Sequence, residues 1–86
     1  MRIFVKKADE AEKARMSSMP EWECGVSEFH WFYDNTEVCL LTAGEVTVKY
    51  DGGSVEIKVG DLAEFPAGLD CVWNVSKPVK KNFFFK

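Results

Sequence analysis

The chain has 86 residues and a mass of 9.8 kDa, which is the size of one domain and leaves no room for a separate cofactor-binding domain. Hydrophobic residues make up 47% of it and aromatic residues 14%, so we expect a folded core rather than a disordered chain. The formal net charge of −3 offers no cationic surface for a phosphate backbone, and no apolar run approaches the length of a membrane span. Neither nucleic acid nor a membrane is therefore an expected partner.

Two features bear on the compartment of the protein. The first seven residues are too short, and become charged too early, for a secretory signal. The three cysteines, Cys24, Cys39 and Cys71, are odd in number and widely spaced, which favours reduced thiols over a disulfide framework. Both features predict a cytoplasmic protein.

The N-terminal segment, residues 1–20, is predicted to be an arm with one strand and one short helix. Residues 3–5 are strand-like, and a helix is expected over residues 8–16. Asp9 stands in the N-cap position of this helix, and Glu12, three residues later, completes a capping box. The apolar stripe of the helix is thin, so contact with the rest of the domain must hold it in place.

The remainder, residues 21–86, is predicted to be an all-β barrel that completes a single domain over residues 1–86. Short β-branched and aromatic runs are separated by Gly, Asp, Asn and Pro, which is typical of a sandwich or barrel. Alternation on both sides of Asp51-Gly52-Gly53 indicates a hairpin with one solvated face. The predicted strands cover residues 28–33, 38–42, 45–50, 54–59, 62–65, 71–75 and 81–85.

Three consecutive phenylalanines, Phe83, Phe84 and Phe85, interrupt the alternation in the last strand. Because neighbouring side chains of a strand point to opposite faces, both faces need a cover. The N-terminal helix of the same chain and a second copy of the chain are the two alternatives for the outer face. Because so small a domain leaves much of its surface in water, we predict a homodimer.

Two spaced patterns carry a family resemblance. They run Gly25-x5-Trp31-x-Tyr33-x3-Glu37-x6-Gly44 and Gly60-x5-Pro66-x-Gly68-x2-Cys71. They resemble the two motifs of the cupin superfamily, G-x5-H-x-H-x3-4-E-x6-G and G-x5-P-x-G-x2-H-x3-N. Across residues 22–85 the chain is similar to the small single-domain cupins that are grouped with ureidoglycine aminohydrolases. The resemblance implies a cupin jelly-roll barrel, the double-stranded β-helix, with a short N-terminal helix added.

The resemblance also implies where a metal would lie, and the ligands there are changed. The first two histidine positions of the family correspond to Trp31 and Tyr33, its carboxylate to Glu37 and its third histidine to Cys71. A transition metal usually requires three or four N, O or S ligands. Because the imidazoles are missing, and the single histidine His30 is expected to point outward, we predict no metal and no other cofactor.

Strand periodicity within the cupin frame predicts one pocket with aromatic walls, one carboxylate and two thiols. Lys81, which alternates with Phe83 and Phe85, is expected either to face this pocket and pair with Glu37 or an anionic ligand, or to solubilise an edge strand. Trp31, Tyr33, Trp73 and Lys81 are the predicted ligand-binding residues. The six side chains expected at the mouth are Trp31, Tyr33, Glu37, Cys39, Cys71 and Trp73.

Three of these residues are candidates for catalysis. Glu37 is a candidate acid or base, and the alternative is a buried structural carboxylate satisfied by Tyr33, a tryptophan N–H or Lys81. Cys39 and Cys71 are candidate nucleophiles, and the alternative for each is simple packing in the core.

Three functions follow as hypotheses. We predict a protein that binds a small organic molecule in its barrel without a metal. The first alternative is an enzyme, hydrolase- or isomerase-like by analogy with the family, in which Glu37 transfers protons and Cys71 or Cys39 assists, with or without a loosely held metal. The other is a domain that binds protein partners through its phenylalanine-rich last strand. A cupin fold alone selects none of these.

Overall fold

Seven β-strands and one short helix make up the computed structural model, which describes all residues from Met1 to Lys86. All strand pairs are antiparallel and belong to one seven-stranded sheet. The predicted all-β jelly-roll architecture is thereby confirmed. The elements are β1 Phe4–Lys7, α1 Glu10–Met16, β2 Glu21–Cys24, β3 Ser27–Phe32, β4 Glu37–Tyr50, β5 Gly53–Lys58, β6 Asp61–Phe65 and β7 Asp70–Phe85.

The N-terminal helix forms with the predicted capping box. The Glu12 backbone N–H donates to the Asp9 carboxylate at 2.8 Å, and the Asp9 N–H donates to the Glu12 carboxylate at 3.0 Å. At the other end of the helix Met16 is fully buried and packs with Val38 and Phe84 on the outer side of the sheet. The chain therefore supplies part of the cover for its own phenylalanine run, while the homodimer stays a prediction. No helix is long and apolar enough to cross a membrane.

Two long strands, β4 and β7, pair with each other along most of their length and hold the barrel together. Each of them joins two strands that the sequence analysis treated as separate. The hairpin of β4 and β5 agrees with the prediction, since Val46 faces Ile57 and both are fully buried. The inward face of this hairpin forms part of the main hydrophobic core.

Gly44 lies in β4 between the two strands that were predicted over residues 38–42 and 45–50. Its φ of +84° falls in the left-handed region, which favours glycine. Strand β4 runs on past Gly44 and stays paired with β7. The register of this pairing shifts between residues 41 and 46. The predicted break between two strands was therefore wrong, because the glycine lies at a bulge within one continuous strand.

Strand β2 is missing from the predicted set. It pairs with β7 so that Trp22 lies opposite Lys81. Along β2 the glutamates Glu21 and Glu23 are exposed while Trp22 and Cys24 are partly buried. This alternation was visible in the sequence, and its effect is to bring Trp22 to the site described next.

Candidate functional site

A cavity of about 240 Å³ opens from the barrel to solvent, and aromatic rings form most of its wall. Trp31 stands at its rim with 48% of its surface exposed, whereas Tyr33 and Trp73 are buried. Five of its residues were predicted for this pocket, and they do come together here. The full lining is Trp22, Phe29, Trp31, Tyr33, Glu37, Trp73, Lys81, Phe83 and Phe85.

Strand β3 and the corner before β7 position the first group of rings. Phe29 and Trp31 point to the same side of β3 because side chains alternate along a strand. Tyr33 follows the strand, and its backbone N–H donates to the Leu69 carbonyl at 2.9 Å, while the Gly68 N–H donates to the Tyr33 carbonyl at 2.6 Å. Gly68 and Leu69, which lie within the second spaced motif, therefore hold Tyr33 of the first motif in place.

An ion pair forms the polar part of the cavity. Lys81 Nζ donates to Glu37 Oε2 at 2.6 Å, and both residues are buried, with exposed fractions of 7% and 2%. Glu37 stands at the start of β4 and Lys81 in the second half of β7. The expectation that Lys81 pairs with Glu37 is confirmed.

Aromatic faces surround the Lys81 ammonium. Nζ lies 4.5 Å from the ring centroid of Trp73, 4.8 Å from that of Trp22 and 5.6 Å from that of Phe83. Rings at these distances attract a cation through their negative faces. The positive charge is thus held by one carboxylate and three rings rather than by water.

Tyr33 retains its proton in this environment. Burial, followed by the negative charge of Glu37, raises the pKa of Tyr33 above its ordinary value. Its ring stacks on Phe65 with the centroids 5.1 Å apart, which fixes its orientation. The phenol is therefore a neutral group in the cavity wall.

Cys39 and Cys71 lie outside this wall, which differs from the prediction that both thiols line the mouth. Both are buried, and burial raises the pKa of Cys39 to about 12. Burial, with the charge of Asp70 as a second cause, raises the pKa of Cys71 to about 11. Because the thiolate is the nucleophile, neither sulfur is activated near neutral pH.

Thiol reactivity gives a direct check of this arrangement. With Ellman's reagent at about pH 8, we expect Cys24 to react first, because it is half-buried near the surface while Cys39 and Cys71 are buried and protonated. Cys39 and Cys71 should react only after unfolding, or as the pH approaches their raised pKa values. A Cys24→Ser variant is the control and should show no fast phase. Rapid reaction in that variant would mean that a buried thiol is accessible and reactive.

His30 points outward as expected. Its imidazole forms a hydrogen bond with the Asp70 carboxylate, and both side chains are exposed. The single histidine therefore takes no part in the cavity.

The donor atoms do not fit the metal that the cupin fold implies. No group of three or more His, Cys, Asp or Glu side chains lies close enough together to hold an ion. Of the positions at which the superfamily has ligands, Glu37 alone offers a strong donor to the cavity, and the Lys81 ammonium already contacts it at 2.6 Å. A metal at Glu37 would have to displace that ammonium.

The comparisons with known proteins agree with the fold. The family model of the EutQ-like cupin domain matches residues 11–83. The chain belongs to this EutQ-like cupin family. A DUF861 family protein from Thermotoga maritima has a crystal structure that is similar with a TM-score of 0.93 and 35% identity, over 99% of this chain and 100% of that chain. No curated protein matches the chain.

Two further solved structures are similar at lower sequence identity. The Clostridium difficile EutQ protein is similar with a TM-score of 0.71 and 17% identity, over 96% of this chain and 66% of its own. A putative ethanolamine utilization protein Q from Salmonella typhimurium has a TM-score of 0.70 and 19% identity, over 96% and 68%. At these identities the likeness concerns the fold. The narrower grouping of this EutQ-like cupin with ureidoglycine aminohydrolases stays a prediction.

Four residues of the cavity of this EutQ-like cupin were not assigned to it from the sequence: Trp22, Phe29, Phe83 and Phe85. Period-two alternation carried a signal for each of them. Phe29 precedes Trp31 by two positions, Phe83 and Phe85 continue the register of Lys81, and Trp22 alternates with glutamates.

Proposed function

We propose that this cupin binds a small neutral organic molecule with an apolar body and a hydrogen-bond acceptor, and that it does so without a metal. The observation that carries the proposal is the buried Glu37–Lys81 pair in a cavity whose other walls are aromatic. Such an apolar cavity with few, converging polar groups is typical of small-molecule sites.

Charge balance favours a neutral ligand. The charges of Glu37 and Lys81 cancel within the cavity, and no other charged side chain lines it. A charged ligand would bring an uncompensated charge into an apolar space, which is strongly unfavourable. Neutral ligands avoid this penalty.

Hydrogen-bonding capacity favours an acceptor on the ligand. A lysine ammonium has three N–H donors, and one of them is used by Glu37 at 2.6 Å. The other neighbours of Nζ are the rings of Trp22 and Trp73, at 4.8 and 4.5 Å from their centroids, and rings are weaker partners than oxygen. A carbonyl oxygen entering the cavity would accept from Lys81.

The volume limits the size of the ligand. A cavity of about 240 Å³ has room for on the order of eight non-hydrogen atoms if each occupies about the volume of a liquid water molecule. One ring with a short polar substituent fits. Benzamide is a suitable neutral probe, and benzoate and benzylamine are its anionic and cationic counterparts.

Binding of these three probes tests the charge preference. We expect benzamide to quench tryptophan fluorescence with an affinity at least about tenfold higher than either charged probe, because only the charged ones leave a charge without a partner. Isothermal titration calorimetry gives the dissociation constants. Tighter binding of benzoate would contradict the neutral class, and a stoichiometric transition metal in the purified protein would contradict the metal-free site.

Trp31→Ala tests the location of the site. We expect about tenfold weaker binding of benzamide, since the variant removes one aromatic wall. Phe32→Ala is the matched control: Phe32 is the next residue of β3, is exposed to a similar extent at 49%, and does not line the cavity. Its binding should stay within about twofold of wild type. Equal losses in both variants would place the binding elsewhere.

The enzymatic alternative loses the two cysteines as candidate nucleophiles. Cys39 and Cys71 lie outside the cavity lining and keep their protons near neutral pH. Any reaction in this space would therefore depend on the groups that line it, Glu37, Lys81 and the Tyr33 hydroxyl.

A further inference from the structure

We propose that Lys81 condenses reversibly with an aldehyde or ketone in the cavity to form an imine, with Glu37 carrying the proton. This inference rests on the proposed binding function, because the carbonyl compound must first enter the aromatic cavity. It assigns to the site a covalent activity and narrows its ligands to reactive carbonyl compounds.

The amine of Lys81 lies in an apolar environment. Lys81 lines the cavity, while only 8% of its side-chain surface is exposed. Lysines that form imines in proteins are typically held in apolar pockets, where water competes poorly and the amine is placed against the bound carbonyl. The rings of Trp22 and Trp73 create such a pocket around Nζ.

A proton acceptor is in direct contact with the Lys81 amine. Attack on a carbonyl requires a neutral amine, so the ammonium must first lose a proton. Glu37 Oε2 lies 2.6 Å from Lys81 Nζ, so that the transfer needs no intervening water. Both groups lie in one cavity, at the place where the carbonyl oxygen of a ligand would accept from Nζ.

The reaction balances within the cavity. Lys81 passes one proton to Glu37, and the free amine attacks the carbonyl carbon; a C–N bond forms and a second proton moves from nitrogen to oxygen, giving a carbinolamine. Glu37 returns its proton to the hydroxyl group, the C–O bond breaks and water leaves. The nitrogen lone pair then completes a C=N bond. In the net reaction, one ammonium group and one carbonyl compound give one iminium ion and one water molecule, and the reaction needs no oxidant or reductant.

The product of the condensation keeps the charge of the starting ammonium. An iminium is a cation, as the ammonium is, so the Glu37 carboxylate and the rings of Trp73 and Phe83 continue to face a positive charge. The electrostatic stabilisation that holds Lys81 in the cavity is thus retained after condensation.

The neighbouring Lys80 provides the comparison within the chain. It is exposed, lies next to Lys81 in β7, and has its Nζ 3.7 Å from the Glu23 carboxylate. It therefore also has a carboxylate partner, but it has no part in the aromatic cavity. If a carbonyl compound reacts faster with Lys81 than with Lys80, the difference would therefore come from the cavity around Lys81.

The test is reductive trapping with benzaldehyde, whose size fits the cavity. The full chain is incubated with benzaldehyde and sodium cyanoborohydride, which reduces an iminium to a stable benzylamine, and peptide mass spectrometry locates the benzyl group. We expect Lys81 to be labelled at least about tenfold faster than Lys80. Lys81→Arg should lose the fast label while Lys80→Arg keeps it. Glu37→Gln should slow labelling of Lys81 by about a hundredfold.

Benzamide, which forms no imine, separates the two proposals. If benzamide binds to wild type but benzaldehyde labels Lys80 and Lys81 at the same rate, the imine is refuted and the binding function stands. If neither probe occupies the cavity, both proposals are wrong. Circular dichroism of each variant checks its fold. If Glu37→Gln fails to fold, the labelling rates of Lys81 and Lys80 in the wild-type protein decide whether the imine forms in the cavity.

Discussion

Replacing Lys81 with methionine should destabilise the protein by about 3 kcal/mol or more, because the Glu37 carboxylate would stay buried without its partner. Methionine preserves most of the length and apolar volume of the lysine stem, so the loss comes mainly from the charge. Urea unfolding followed by tryptophan fluorescence measures the change in the free energy of unfolding.

Two further variants show whether the charge is responsible. Lys80→Met removes the adjacent, exposed lysine and should change stability by no more than about 0.5 kcal/mol. The double variant Glu37→Leu with Lys81→Met removes both charges and should recover most of the loss, because apolar replacement of a whole buried pair is often neutral. A double variant as unstable as the single one would show that packing of the lysine stem, and not the ion pair, dominates.

This pair illustrates what the sequence could and could not reveal about the site. Alternation along the last strand made the inside one of two alternatives for Lys81, and the cupin resemblance implied an inward Glu37, so that their contact was one of the arrangements expected. Alternation says which face a side chain takes, but it does not say how far along the barrel it lies. Cys39 and Glu37 are both buried in β4, and of the two only Glu37 reaches the cavity.

The limits of the fold prediction have the same origin. The jelly-roll architecture was implied by the resemblance to the two cupin motifs, and the capping box followed from Asp9 and Glu12 alone. Strand β2 depends on pairing with β7, some sixty residues away along the chain. The four residues between Pro20 and Gly25 form too short an alternating pattern to predict a strand. Long-range pairing also decided that Gly44 belongs to a bulge.

Gly44→Ala is the second large effect that we expect. A Cβ built at Gly44 would lie 2.1 Å from the Pro78 carbonyl oxygen, and its φ of +84° is unfavourable for alanine. Backbone strain of about 1–2 kcal/mol and a steric clash with backbone atoms together predict a loss of about 3–5 kcal/mol of stability. The clash is with main chain, so rotation of a side chain cannot relieve it. Urea unfolding measures the loss.

Gly60→Ala separates conformational strain from close approach. Gly60 has a similar φ of +92°, but a Cβ there would meet no atom within 4 Å. This variant should lose only about 1–2 kcal/mol, the contribution of the backbone conformation. The difference between the two alanine variants then measures how rigidly β4 and β7 are held together at the bulge.

A shift of β7 at the bulge would also reach the cavity. Pro78 lies three residues before Lys81 in β7, so a strand displaced at Pro78 would also disturb the contact between Lys81 and Glu37. Gly44→Ala should therefore weaken benzamide binding, whereas Gly60→Ala should not; equal stability and equal binding in both variants would mean that the bulge yields without moving the site.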